Sequence, residues 1–149
     1  MSVQQLGDYV RTMEQTAEEI DKRLKEGGEE GGGIIRWPPV ILAFPGMLVS
    51  GHVVSSRAYN RQQHDNIEKV QRELPEAPEA AGSLAGPPKR FFREPTPEEA
   101  EAIQGDDYEP QTIYLLDVTI IVGEGTTTLP GIAVEFDQVI GWTLGRLTS

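Results

Sequence analysis

Few residues of this chain carry side chains suited to catalysis or metal binding. The two histidines, His52 and His64, fall on different predicted elements and outside the spacings that metal sites use. Asp117, Glu135 and Asp137 could meet at one rim of a sheet, where paired carboxylates act as acid and base. Acids on strands ordinarily face solvent, however. We therefore predict that the chain is not an enzyme and has no catalytic residue, metal site or cofactor.

The composition narrows the classes of partner. The chain has 149 residues, no cysteine and a formal net charge of −11. Without cysteine, disulfides, thiolate nucleophiles and zinc–thiolate sites are excluded. Because an acidic surface repels the phosphate backbone, we predict no binding to nucleic acid. No apolar run approaches the roughly 18 residues that span a bilayer. We expect a cytoplasmic protein that makes no membrane contact.

Two pairs of strand-like runs must supply the scaffold. Residues 40–44 and 47–55 flank a Pro-Gly turn, and residues 113–122 and 132–147 come later in the chain. Alternation along 113–122 predicts one wholly apolar face. That face consists of Tyr114, Leu116, Val118, Ile120 and Val122. Gly51 in mid-strand is typical of a sharp bend. The pattern predicts an α+β, mainly β fold built on a small, bent antiparallel sheet or barrel.

Residues 1–26 are predicted to form an amphipathic helix. Its apolar stripe follows heptad spacing: Val3, Leu6, Val10, Met13, Ala17, Ile20 and Leu24. The helix either lies on its own core or pairs with another chain. Because the glycine-rich stretch 27–33 would let it leave the sheet, we favour burial between chains. We predict a homo-oligomer in which the contact residues are Leu6, Val10, Met13, Ile20 and Leu24.

The remaining chain, 34–149, is predicted to be one small barrel domain with an insert at 60–110. The insert begins as a helix, continues at 75–93 as a disordered linker rich in Ala, Pro and Glu, and ends in a short helix capped by Thr96. A basic and aromatic group stands within this acidic linker: Lys89, Arg90, Phe91 and Phe92. It is either a docking peptide for a partner or a flap that covers the sheet.

Two family resemblances follow from these elements. The order of helix, strand, Pro-Gly turn, bent strand, insert and closing strands over 40–55 and 113–147 resembles an Sm-like (SH3-like) small barrel. This resemblance implies a barrel closed through its last strand, often in a ring of subunits.

The second resemblance is to the gas-vesicle accessory protein U family. Residues 47–59 are similar to the segment of that family that reads xSGxxxSxxxY, and 132–147 are similar to its closing strand–acid–strand tail. The resemblance implies a gas-vesicle-associated protein.

These observations predict a non-catalytic accessory or assembly protein that acts through protein–protein contacts and self-association. Its partners would be its own copies and a gas-vesicle shell or another large protein particle. The alternative is an Sm-like nucleic-acid-binding module. That alternative needs a basic patch on the sheet, for which Arg36, Arg57 and Arg146 are the available cations.

Overall fold

A computed structural model describes residues 2–28, 37–73 and 92–147. Its helices are α1 (Val3–Glu26), α2 (Ser56–Glu73) and α3 (Pro97–Gln104). Its strands are β1 (Pro39–Phe44), β2 (Met47–Val54), β3 (Thr112–Val122), β4 (Gly125–Glu135) and β5 (Gly141–Leu144). The predicted α+β class, with an N-terminal helix and a small antiparallel sheet, is confirmed. Most of the predicted glycine-rich stretch, together with Lys89, Arg90 and Phe91, lies outside the described residues.

The five strands form one antiparallel sheet in the order β4-β3-β2-β1-β5. The β1–β2 hairpin turns at Pro45-Gly46, as predicted, and pairs Phe44 with Met47. β5 pairs with β1, so β4 and β5 lie at the two ends of the order. No ladder joins β4 to β5 among the described strands. Closure of the sheet into a barrel therefore stays a prediction.

The predicted closing run 132–147 contains the end of β4 and the whole of β5. β4 begins at Gly125, where three threonines extend the ladder with β3. A short 3-10 turn, Phe136–Gln138, then separates β4 from β5. Asp137 and Gln138 break the strand pattern, as expected, because their backbone turns there.

The bend predicted at Gly51 is a β-bulge between β2 and β3. Ser50 pairs with Thr119 but His52 pairs with Leu116, so β3 contains one extra residue at this point. Asp117 accommodates it with a positive φ of 54°, which is uncommon for a residue other than glycine. A Cβ atom at Gly51 would lie 3.1 Å from the Leu116 carbonyl oxygen, so a larger residue would push the two strands slightly apart at the bulge.

This bulge overturns the single apolar face predicted for β3. Tyr114 and Leu116 pack in a small cluster with Val54 and Tyr59. The side chains beyond the bulge, Val118 and Ile120, instead join Ile113 and Leu115 in the main core. An extra residue in a strand reverses the faces that follow it. The predicted set of five residues is thus divided between the two sides of the sheet, and Val122 is exposed.

α1 lies on the core of its own chain. Leu6, Val10 and Met13 are at most 1% exposed and pack with the sheet residues of the main core. The helix begins in a capping box, in which the Ser2 hydroxyl accepts from the Gln5 N–H at 3.2 Å. For these three residues the expected burial between chains is wrong, because the sheet supplies their apolar surroundings. Ile20 and Leu24, further along the stripe, are half-buried.

Candidate functional site

Three charged side chains are buried between α1 and α2. Glu14, Glu18 and Arg57 are 1%, 4% and 7% exposed. The two glutamates lie one turn apart on α1, beside the apolar stripe, and Arg57 lies in the first turn of α2. Charged residues are seldom buried unless they are paired, so their partners determine what this group can do.

Glu14 fastens the start of α2 to α1. One carboxylate oxygen accepts a hydrogen bond from the Ser56 N–H at 2.8 Å, and the other accepts from the Ser56 hydroxyl at 3.3 Å. The hydroxyl of Ser55 accepts from the Ala58 N–H at 3.0 Å. Together these bonds satisfy two of the N–H groups that the start of a helix leaves without a partner. Glu14 therefore acts as a cap supplied from a different helix.

The surroundings of Glu14 favour its neutral form. Burial raises the pKa of its carboxyl to about 7, against the lowering effect of the two bonds from Ser56, and the nearby charge of Glu18 adds to the rise. Desolvation has this effect because the charged form loses more hydration than the neutral form. At neutral pH, Glu14 is consequently divided between its two protonation states.

Arg57 is the centre of a network of ion pairs. Its Nε donates to one oxygen of Glu18 at 3.1 Å and its Nη2 donates to the other at 3.0 Å, a two-pronged pairing. Its Nη1 donates to Glu94 at 3.2 Å. Glu94 also accepts from Arg61 at 2.6 Å, and this bond holds the pKa of the Glu94 carboxyl below its usual range. The network joins α1, α2 and the segment that leads into α3.

A cleft of about 420 Å³ lies next to this network, between α2, α3 and β3. Ser56 forms part of its lining, as do Tyr108 and Tyr114. Burial raises the pKa of both tyrosine hydroxyls, and the charge of Glu14 raises each further. The electrostatic field of the buried carboxylate thus reaches the cleft, although Glu14 itself lies behind Ser56.

His52 holds the end of the chain against β2. Its Nδ1 lies 2.9 Å from the Trp37 carbonyl oxygen, which can only accept, so Nδ1 carries the proton. Nε2 then accepts from Arg146 Nη2 at 2.7 Å. The Leu147 N–H donates to the Ser50 hydroxyl at 3.3 Å alongside. These bonds give His52 a structural role, and His64 lies elsewhere, on α2.

The three carboxylates considered for acid–base chemistry do not converge. Asp117 is exposed at the bulge of β3, whereas Glu135 pairs with Thr112 at the other end of that strand. Five residues of strand separate these positions, a distance of about 16 Å. Asp137 follows in the 3-10 turn near Glu135.

The predicted interaction residues are dispersed. Leu6, Val10 and Met13 are in the core, as described above. Phe92 packs edge-on against Tyr59, with their ring centroids 6.4 Å apart. It covers the small cluster behind β2 and β3, as a flap would. Ile20 and Leu24 are half-buried and so partly available to a partner.

Exposed apolar side chains stand at the β5 end of the sheet. Ile140 is 66% exposed and Leu144 is 46% exposed. Ile140 precedes β5 and Leu144 is its last residue, and among the described strands β5 pairs with β1 alone. Elsewhere in the sheet, Val122 at the end of β3 is 55% exposed. The sequence did not single these residues out for contact, because they belong to runs that alternation assigned to a buried strand.

Comparison with known proteins gives no match to this chain among family models, curated proteins or solved structures. Within the ranges that the structure describes, no three His, Asp or Glu side chains are placed to hold a metal ion. In those same ranges, no helix has both the length and the apolar character needed to cross a bilayer.

Proposed function

We propose that this chain is a non-catalytic assembly protein that associates with copies of itself and with a larger protein particle in the cytoplasm. The observation that carries this proposal is the exposed apolar surface at β5, an end strand of the sheet that the described residues form. A strand with one free side offers a row of backbone donors and acceptors to another strand. Ile140 and Leu144 place apolar area beside that row.

The strand order supports self-association of a particular kind. β4 and β5 are different strands at opposite ends of one sheet. Pairing β5 of one copy with β4 of the next would be a head-to-tail contact, which builds rings or filaments rather than simple two-fold dimers. Of the two edges, β4 is the longer, with eleven residues.

The identity of the larger particle rests on the family resemblance. Residues 47–59 and 132–147 resemble the gas-vesicle accessory protein U family. A gas-vesicle shell is therefore the partner that we propose. The nucleic-acid alternative gains nothing from the site, because Arg57 is committed to Glu18 and Arg146 is bonded to His52.

Light scattering coupled to size exclusion tests the self-association. At about 100 μM the full chain should show a mass above the 16.4 kDa of one copy, since association follows mass action. Ile140→Asp should lower that mass without changing the circular dichroism. The matched control is Val70→Asp, at an exposed apolar position on α2 and therefore outside the sheet.

Two results would contradict the assignment of the β5 edge. One is an intact chain that stays monomeric at this concentration, and the other is an equal loss of mass in the Val70→Asp control. The particle is tested separately by co-flotation of the chain with purified gas vesicles. Absence of co-flotation would remove the gas-vesicle partner while leaving self-association standing.

A further inference from the structure

The joint between α1 and α2 contains a buried acid, Glu14, with which no cation of the described residues forms an ion pair. Both bonds of Glu14 go to the uncharged groups of Ser56. The nearest cation in the cluster, Arg57, gives its Nε and Nη2 to Glu18 and its Nη1 to Glu94. The cluster therefore balances Glu18 and leaves Glu14 dependent on hydrogen bonds alone.

Ionisable groups from every neighbouring element surround this carboxyl. Glu18 approaches along α1, Arg57 comes from α2, Tyr108 lies in the loop after α3, and Tyr114 projects from β3. Among these groups, the negative charge of Glu18 repels a negative charge on Glu14. A charged Glu14 in turn makes it harder for either tyrosine to lose its proton. The N–H group and hydroxyl at the start of α2 stabilise the charged form of Glu14, whereas burial and the negative charge of Glu18 destabilise it more.

We propose that the Glu14–Ser56 contact is a proton-dependent joint, which is closed when Glu14 is protonated and opens locally when Glu14 is ionised. Opening hydrates the carboxylate and breaks the bonds from the Ser56 N–H and hydroxyl, which loosens the cleft wall at Ser56, while Arg57 keeps its pairing with Glu18. The joint would thereby link proton concentration to access to the cleft walls, Tyr108 and Tyr114. This property is independent of the edge contacts proposed above.

The expected size of the effect follows from linkage. With a pKa of about 7 in the closed joint and the ordinary glutamate value of 4.5 once hydrated, the population of the open joint rises roughly tenfold between pH 6 and pH 8. The open population increases with pH, rather than decreasing, because the closed form binds the proton more tightly than the open form does. Below pH 6 the closed form should be favoured more strongly still.

Amide hydrogen exchange of the full chain, followed by NMR, measures this opening directly. The Ser56 N–H bonds to Glu14 itself, so its protection factor, corrected for the intrinsic pH dependence of exchange, reports the joint. In the natural chain this factor should fall roughly tenfold from pH 6 to pH 8. In Glu14→Gln, which keeps an acceptor of the same shape, it should stay constant.

Two controls separate the joint from general effects. Glu19→Gln, at an exposed position of the same helix, should retain the full pH response. Amides in the β2–β3 ladder should show no matching change, because their hydrogen bonds do not involve Glu14. The proposal is overturned if Ser56 protection is independent of pH in the natural chain, or if Glu14→Gln responds as strongly as the natural chain does.

Discussion

The two halves of α1 contact the rest of the chain through different chemistry. In the first half, Leu6, Val10 and Met13 are almost fully buried against the sheet. In the second half, Glu18 pairs with Arg57, while Ile20 on another face is only half-buried. One heptad stripe therefore runs from an apolar contact into a region where charged contacts replace it.

The length of the helix explains the change. A helix of 24 residues is about 36 Å long, whereas five neighbouring strands span only about 19 Å. α1 contacts β2 and β5 and then continues beside α3. Beyond the sheet there is less apolar surface for the stripe to cover. The second half is held instead by hydrogen-bonded ion pairs to the start of α2. Apolar residues at equal spacing in the sequence are therefore not equally buried in the fold.

The largest expected effect comes from removing the cation of the second half. Arg57→Met should destabilise the chain by about 3–5 kcal/mol, because it leaves Glu18 buried without a positive partner. Urea unfolding followed by circular dichroism measures this change. Arg23→Met is the matched control, since its pair with Glu19 is exposed and should contribute about 0.5 kcal/mol or less. Similar losses in both variants would mean that burial does not distinguish the two ion pairs.

A truncation in each half tests the apolar side of the comparison. Leu6→Ala should cost about 2–5 kcal/mol, because it leaves a cavity in the main core. Ile20→Ala should cost about 1 kcal/mol or less, since its side chain keeps partial contact with water. The same urea titration applies. If the two costs were equal, the second half would also be packed as core, and the contrast between the halves would disappear.

The smallest expected effect, up to roughly 3 kcal/mol, concerns the pH dependence that Glu14 gives to stability. Its folded-state pKa of about 7 lies above the ordinary glutamate value of 4.5, so folding takes up a proton between these pH values. Its contribution is complete below about pH 4.5 and is lost as pH rises through about 7. The stability of Glu14→Gln relative to that of the natural chain should therefore increase as the pH rises from 4.5 to 8.

The difference between these two chains, measured by urea unfolding at each pH, isolates Glu14 from other acids. Glu94 has the opposite effect on stability, because its pKa is lowered in the folded chain. Its contribution is present above the ordinary pKa of a glutamate and is lost as the pH falls into the acid range. A difference that stays constant across the range would show that Glu14 has the same pKa in the folded and unfolded chain.

The sequence predicted the elements of this fold more reliably than their faces. Alternation located β3 and the Pro-Gly turn located the β1–β2 hairpin, because both signals are local. The bulge at Asp117 depends on one backbone conformation, and acidic residues are also common in ordinary exposed strand positions. Once that extra residue enters β3, every side chain after it changes sides.

The candidate site was missed for a different reason. Glu14 and Glu18 lie beside the apolar stripe, one helical turn apart, which was the available signal. Acids at such positions are ordinarily solvated, and their partners Ser56 and Arg57 are about 40 residues away along the chain. Local spacing predicts which helix face a residue occupies, but only the tertiary fold brings these four groups together.

The return of the chain at residues 92–94 has a consequence for how this protein can be modified. Phe92 and Glu94 contact Tyr59, Arg57 and Arg61, all near the start of α2. These anchors fix where the polypeptide rejoins the fold, whatever number of residues comes between. Any redesign of the chain should therefore leave Phe92 and Glu94 unchanged, because a change at either one removes a contact made by residues more than 30 positions earlier in the chain.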